Sequence, residues 1–287
     1  MISSISGVEK MSMDTFCRFR DFIQGHIGIS IPDAKKVMVE SRLLRRLKAL
    51  KLYDYSIYAD YLFSTEGQHL EVPRFIECIT TNKTDFFREI EHFIFLNEIA
   101  LPEITGRTGI SEIRLWSGAS STGEEAYTMA MFIEEFKLTK PDVTYKILAT
   151  DISEKVLDIG RKAIYPLDSG EPIPTRFKKR YCLKGRDESN PTLRIKKELR
   201  RHVSFKSINL TDDSYQIKKS YHIIFLRNVM IYFNKDIQKG ILNNLYKHLH
   251  PEGFLFLGHS ENIPDHTIPF KRVGPSIYVK KEKIISE

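Results

Sequence analysis

The residues best suited to chemistry gather around one glycine-bounded turn. Ser117-Gly118-Ala119-Ser120-Ser121-Thr122-Gly123 follows the apolar run 112–116 (EIRLW) and precedes the acidic pair Glu124-Glu125. A strand, a glycine turn and a helix in that order let backbone approach a ligand where a Cβ would collide. The spacing is not G-x-G-x-x-G, because Ser120 stands in place of the second glycine. Two acids in the first helical turn also oppose a pyrophosphate. They suit ribose hydroxyls or a cationic ligand, or they complement the helix dipole. Asp151 directly follows 145–150 (YKILAT). An acid there receives adenosine ribose hydroxyls in doubly wound sheets, or caps the next helix. Asn209-Leu210 closes the apolar piece 203–208, and Arg227-Asn228 closes 221–226 (YHIIFL). Asn209 suits an adenine edge or a plain turn. Arg227 and Asn228 would line the same crevice, with 229–233 (VMIYF) as its apolar wall and Tyr232 as a phenol beside it. S-adenosylmethionine (SAM) carries no phosphate and is compatible with this set.

Positioning these groups requires a parallel sheet. Runs 112–116, 145–150, 221–226 and 253–257 read as buried strands. Runs 124–136, 156–163 and 237–249 read as helices, the first with Ala126, Met129, Ala130 and Ile133 on one face. The alternation predicts an α/β, doubly wound, Rossmann-like sheet with helices on both faces. Between 166 and 205 the rhythm breaks into prolines, basic residues and short β-like pieces such as 192–195, which predicts an inserted excursion. The N-terminal part reads as a small all-α domain. Phe16, Phe19 and Ile23 recur at helical spacing, as do Val39, Leu43, Leu47 and Leu50. Arg42, Arg45 and Arg46 form a basic group beside that leucine stripe.

Composition narrows the class. Hydrophobic content of 41% and charged content of 28% over 287 residues suit a globular protein with a real core. No apolar run approaches the roughly 20 residues of a membrane span, and the N-terminus lacks a secretory pattern. Cys17, Cys78 and Cys182 fit neither a disulfide framework nor a metal site, so a reduced, cytoplasmic chain without metal or membrane insertion is expected, with Cys78 in the core. Net charge is +7, but unevenly spread: 35–51 holds seven Lys/Arg against one acid, and 176–206 twelve against three. The remainder is net acidic. Two basic surfaces on an otherwise acidic chain predict docking to an anionic macromolecule, either nucleic acid or an acidic protein, unless they are merely solvated faces.

Four motifs, in order, resemble one family. They are residues 81–88 (TNKTDFFR), 115–125 (LWSGASSTGEE), 227–233 (RNVMIYF) and 258–262 (GHSEN). The chain is similar to the CheR chemotaxis receptor methyltransferases from about residue 13 to 278. The resemblance implies a helical domain over 1–85, a linker over 86–109 and a SAM-dependent methyltransferase domain over 110–287. It also implies a small antiparallel β-subdomain inserted at 165–205. By that resemblance Asn82, Thr84 and Arg88 reach SAM from the linker. Gly118, Glu125, Asp151, Asn209, Leu210, Arg227 and Asn228 complete its site. Arg88 and Tyr232 match the pair beside the transferred methyl group. His259-Ser260-Glu261-Asn262 reads as structural support. Arg42, Arg45 and Arg46 are the candidate docking surface for acidic receptor helices, with the enzyme a monomer. In some members the β-subdomain grips a receptor C-terminal pentapeptide. Here residues 185–190 (GRDESN) lack the expected glycine-rich loop, which leaves that tether open.

The implied reaction esterifies receptor glutamates and releases S-adenosylhomocysteine. A glutamate carboxylate is ionised at neutral pH and needs no general base, so the lack of a Ser–His pair or Cys nucleophile is expected. Two alternatives remain. An RNA methyltransferase suits the basic pI of about 9.1, although the Asn/Asp-Pro-Pro-aromatic and Pro-Cys motifs of base methylation are absent. A non-catalytic SAM-binding signalling adaptor is the other.

Overall fold

A computed structural model of the chain describes residues 8–107, 109–110, 112–217, 219–263 and 268–281. Two compact units emerge, Met1–Thr81 with Tyr232–Asn234 and Asn82–Ile231 with Lys235–Glu287. Among the described residues no helix is long and apolar enough to cross a membrane.

The first unit is helical, with α1 (Met13–Ile27), α2 (Lys36–Leu50), α3 (Tyr55–Phe63), α4 (Thr65–Leu70) and α5 (Val72–Ile79). Ser12 caps α1 by accepting the Thr15 N–H, and Gly28 ends it with φ +73°. Of the stripes read from sequence, Phe16, Phe19 and Ile23 on α1 and Val39, Leu43 and Leu47 on α2 are buried, whereas Leu50, the last residue of α2, is only half-buried. They close on Tyr58, Leu62 and Phe75, all buried. Cys78 is buried and all three cysteines are free thiols.

The second unit begins with α6 (Ile90–Phe95), a π-helical turn (Leu96–Ala100) and α7 (Leu101–Thr105). Most of residues 86–109 is thus helical, with Phe93, Leu96, Leu101 and Ile104 buried in the sheet's core. Next come β1 (Glu112–Gly118), α8 (Glu124–Phe136), β2 (Thr144–Asp151) and α9 (Glu154–Lys162). The excursion holds β3 (Ile164–Pro166), α10 (Thr175–Tyr181), β4 (Cys182–Lys184), β5 (Thr192–Ile195) and α11 (Lys197–Arg200). After it run β6 (Val203–Ser207), β7 (Tyr221–Leu226), α12 (Lys235–His248), β8 (Leu249–Leu257), β9 (Phe270–Gly274) and β10 (Ile277–Lys280).

The large sheet has the order β6-β2-β1-β7-β8-β10-β9. β6, β2, β1, β7 and β8 pair in parallel, whereas β10 and β9 are antiparallel. All six residues of β7 are buried, as a central parallel strand requires. From β1 the chain winds to β2 and β6 on one side and later to β7 and β8 on the other. The switch point therefore lies between β1 and β7, and their carboxyl ends bound the crevice where such sheets take ligands. The excursion forms its own antiparallel sheet, β3-β5-β4. The β9–β10 hairpin left no readable pattern in the sequence. Lys271, Arg272 and Val273 are all exposed, so β9 lacks the inward–outward alternation that marks a strand.

Candidate cofactor-binding site

The turn after β1 owes its glycines to packing. A Cβ on Gly118 would sit 2.9 Å from Leu226 Cδ1 on the neighbouring strand. Gly123 has φ +91°, and its Cβ would press on the Phe205 ring at 3.1 Å. At Gly118 the absence of a Cβ also allows a close approach between β1 and β7. Ala119 and Ser121 also take positive φ, of 52° and 49°. Left-handed backbone at non-glycine residues persists only where surrounding contacts fix it. Those contacts are present: Ser120 N–H donates to Thr150 O at 2.8 Å, Ser121 N–H to Asp151 Oδ2 at 2.9 Å, and Ser121 Oγ to Asn82 O at 2.8 Å.

Asp151 ends β2 and is buried. Its Oδ1 accepts the Ser153 N–H at 3.0 Å. Burial pushes its carboxyl pKa up, partly offset by the N–H bonds from Ser153 and Ser121. Asp151 thus shapes the β1 turn and bonds the N–H of Ser153, the residue that leads into α9, but it is not the helix cap that the sequence offered as one of two roles, because the cap position is Ser153 and carries no side-chain cap bond. A carboxylate has about four lone-pair directions, so ribose hydroxyls remain within its capacity.

Glu125 stands on the first turn of α8. Ser117 Oγ donates to its Oε1 at 2.7 Å, and Arg227 Nε to its Oε2 at 2.7 Å. Arg227 is the centre of the arrangement, its side chain only 2% exposed. Its Nη2 donates to Arg88 O at 2.9 Å and its Nη1 to His92 Nδ1 at 3.0 Å. The guanidinium also lies over the Phe93 and Phe225 rings. Burial and the Arg227 charge hold His92 down to about 4, so it is a neutral acceptor at neutral pH.

Asn228 follows with φ +57°. Its Nδ2 donates to Glu89 Oε1 at 3.0 Å, and its N–H to Glu261 Oε2 at 2.9 Å. Glu261 also accepts the N–H of Gly258 and of Met230, both at 2.7 Å. The 258–262 motif therefore supports the end of β7, as its sequence suggested. Asn209 Oδ1 accepts Thr211 N–H at 3.1 Å and Thr211 Oγ1–H at 2.8 Å, an Asx turn. Leu210 is buried and its carbonyl accepts the Tyr215 hydroxyl.

Asn82 and Thr84, just before residue 86 where the linker is expected to begin, and Arg88 within it are half-buried. The Arg88 guanidinium donates to Lys83 O at 3.3 Å and forms no ion pair among the described residues. Tyr232 belongs to the first unit, where its carbonyl accepts the Ser30 N–H at 3.0 Å. Met230–Tyr232 is a 3-10 turn with Ile231 exposed, so the 229–233 stretch is only partly the apolar wall expected.

Three residues of this site escaped the sequence reading. Among the described residues Ser120 Oγ is buried without a hydrogen-bond partner, as suits a polar ligand. Glu89 and His92 sit in the network around Arg227, and neither stands at a motif position that announces it. The unused acceptor directions of Glu125 and Asp151 and the orphaned Ser120 hydroxyl fit an adenosyl group with polar edges.

A family model described as "CheR methyltransferase, SAM binding domain" matches residues 82–279, and one described as "CheR methyltransferase, all-alpha domain" matches 14–80. The chain belongs to the CheR methyltransferase family. It is 38% identical over 265 residues to "Chemotaxis protein methyltransferase 2" of Pseudomonas aeruginosa, covering 92% of each chain. It is 37% identical over 269 residues to the "Chemotaxis protein methyltransferase" of Salmonella typhimurium, covering 93% of this chain and 91% of that one. The Escherichia coli protein of the same name is 36% identical over 263 residues, covering 92% and 89%. This CheR-family chain is a SAM-dependent methyltransferase of α/β fold, and SAM is its methyl donor.

The three arginines of α2 all turn to α5 and the residue before it. Arg46 makes a bidentate bridge to Glu71, with both bonds 2.7 Å, and Glu71 is 1% exposed. Tyr58 adds its hydroxyl to Glu71 at 2.9 Å. Arg42 donates to Ile79 O and to Thr81 Oγ1, capping the carboxyl end of α5. Arg45 Nε meets Cys78 Sγ at 3.1 Å, yet Arg45 remains exposed. Arg46 is therefore a structural anchor first. Arg46→Ala strands a buried carboxylate and is expected to lower stability by about 3–5 kcal/mol, read as a shifted urea midpoint.

Glu124 makes a second prediction. Burial pushes it up to about 7 from 4.5, against the hydrogen bond from Thr122. A raised carboxyl favours the protonated folded state, so its contribution is complete below about pH 4.5 and is lost as pH rises toward about 7. Glu124→Gln should match the parent at pH 4.5 and exceed it at pH 8 by up to about 3 kcal/mol in thermal melts.

Proposed function

We propose that this chain transfers the methyl group of SAM to glutamate side chains of chemotaxis receptors. In this reading it works in the cytoplasm, as a monomer, on the receptors' helices and not on nucleic acid. The observation that supports it most is the grip of Arg227 on both Glu125 and the Arg88 carbonyl. One buried cation thereby ties the linker to the acid on α8 at the switch point of the sheet. Asn82, Thr84, Arg88, Glu125, Asp151, Asn209, Leu210, Arg227 and Asn228 hold the adenosyl group, and Gly118 sets the turn beneath it.

Bound SAM supplies an electrophilic methyl on a sulfonium. The chain's task is to present a carboxylate oxygen in line with it, in a place drier than water, because both charges are lost in the transition state. Arg88 clamps one substrate carboxylate oxygen and leaves the other to attack. The clamp is loose, since tight ground-state binding would slow the step. The role of Tyr232 rests on the motif resemblance, and loss of turnover in Tyr232→Phe with unchanged SAM affinity tests it.

Docking falls to the exposed side of α2, where Arg45 and Lys48 are exposed one turn apart. Reversing both charges, Arg45→Glu with Lys48→Glu, should cut receptor methylation about tenfold and leave SAM affinity intact. Added salt should weaken the parent in the same way.

The deciding experiment incubates the chain with labelled SAM and receptor-bearing membranes. Label in the receptor that is released by mild alkali, as a carboxyl methyl ester is, supports the assignment. Alkali-stable label, label in RNA, or none at all overturns it.

A further inference from the structure

Glu89 is not among the residues that hold the adenosyl group in this reading, yet its carboxylate contacts two of them. We propose that Glu89 is a positioning residue that sets Asn228 for the methyl donor, an inference that rests on the SAM reading. Its Oε1 accepts the Asn228 amide at 3.0 Å. Its Oε2 stands 3.6 Å from Arg227 Nη1 and 3.4 Å from His92 Nδ1. The Asn228 side chain is thus oriented through Glu89, while its backbone is held separately by Glu261.

The linker backbone is bent to deliver this contact. Phe87 and Glu89, on either side of Arg88, have φ of +59° and +55°. Side-chain-bearing residues rarely adopt that region, and strain of this kind survives where neighbouring contacts enforce it. Phe87 is fixed by its N–H bond to Thr128 Oγ1 and by ring contacts with Phe132 and Phe177. Glu89 is fixed by the hydrogen bond it accepts from Asn228 and by the pairing with Arg227. The same turn leaves the Arg88 carbonyl on Arg227 Nη2. One kinked segment therefore carries the proposed substrate clamp on Arg88 and the aligner of the donor pocket on the next residue.

The charges agree with this role. Burial opposes the Glu89 carboxylate, but the Asn228 bond and the Arg227 charge outweigh it and hold its pKa below the usual carboxylate value. The buried Arg227 thus faces two carboxylates, Glu125 and Glu89, and a neutral His92. His259 lies 3.9 Å from Glu89 on the exposed side. Glu89, His92 and His259 offer donor atoms within 4.8 Å of one another, a spacing that metal ligands share. Arg227 decides against a metal. It already occupies His92 Nδ1, and a divalent cation between these groups would meet a fixed guanidinium charge. Within the cluster Glu89 Oε1 is the hydrogen-bonded oxygen and serves Asn228, whereas Oε2 has no hydrogen-bond partner among the described residues and meets Arg227 by charge alone.

The test is titration of SAM into the full chain by calorimetry, with far-UV circular dichroism to confirm folding. Glu89→Ala should weaken SAM binding about tenfold or more, because Asn228 loses its partner. Glu89→Gln keeps an acceptor for Asn228 and should recover to within about threefold of the parent. In an Asn228→Ala background, Glu89→Ala should cost less than about twofold further, since the contact it removes is already gone. Should Glu89→Ala fail to fold, Glu89→Met keeps the length without the acceptor and takes its place in the cycle. Equal losses in both backgrounds, or unchanged binding in the alanine variant, overturn the positioning role. A parent that releases no heat with SAM instead sinks the donor-site reading, so the two failures are distinguishable.

Discussion

Arg227→Ala is expected to abolish measurable SAM binding and to lower stability by about 3–5 kcal/mol. The guanidinium is buried and satisfies Glu125 Oε2, Arg88 O and His92 Nδ1 together. Its removal leaves two carboxylates, Glu125 and Glu89, in the same low-dielectric place without their cation. Such a stranded pair is far more costly than loss of a surface bridge, which is typically worth under about 1 kcal/mol. Binding suffers as well, because the linker and α8 lose their shared tether. Arg227→Lys tests the geometry. A point charge cannot reproduce three directed bonds from one planar fork, so lysine should restore part of the stability and little of the affinity. The checks are a urea melt and a calorimetric titration. An alanine variant that binds SAM within about threefold of the parent would falsify this account of Arg227.

Arg88→Ala carries the second large effect. Receptor methylation should fall by about 100-fold or more, the scale expected when a reacting group loses its alignment. Stability should change by less than about 0.5 kcal/mol, because among the described residues the Arg88 side chain makes only a long bond to Lys83 O and is half-buried. SAM affinity should fall less than turnover, since the proposed clamp acts on the substrate carboxylate. Single-turnover kinetics at saturating SAM separate the two quantities. Equal losses in affinity and turnover would assign Arg88 to donor binding alone.

These two arginines show how unevenly sequence carries information. Both were visible as motif members, one before a helix and one at a strand end. Nothing local distinguished their duties. Arg227 pairs with Glu125 across 102 positions and with His92 across 135, and that pairing makes it an anchor. Arg88 contributes its carbonyl to the same anchor while its guanidinium bonds Lys83 O. Arg46 makes the same point on α2. Its spacing beside Arg42 and Arg45 suggested a basic docking face, yet Glu71, 25 positions on, claims it with two bonds. A face read from periodicity identifies neighbours on one helix and says nothing of the acid that another element brings beneath it.

Glycines make a parallel case. Gly118 and Gly123 were legible as a turn after a strand, and a turn is there. The reason for them was not legible, because Leu226 and Phe205, the atoms that exclude a Cβ, arrive from β7 and β6.

By itself the sequence determined the helical N-terminal part, the alternating strands and helices, the excursion, the family and the adenosyl-binding class of the crevice. These follow from periodicity and from short motifs, which are local properties of the chain. Only the tertiary structure decided that residues 90–105 are helical, that β9 and β10 finish the sheet, and which charges cancel in the interior. It alone brought Glu89, His92 and Ser120 to the site. Pairing between distant carboxylates and guanidinium groups depends on which strand ends are neighbours, and strand order is a property of the folded sheet and not of any window along the chain.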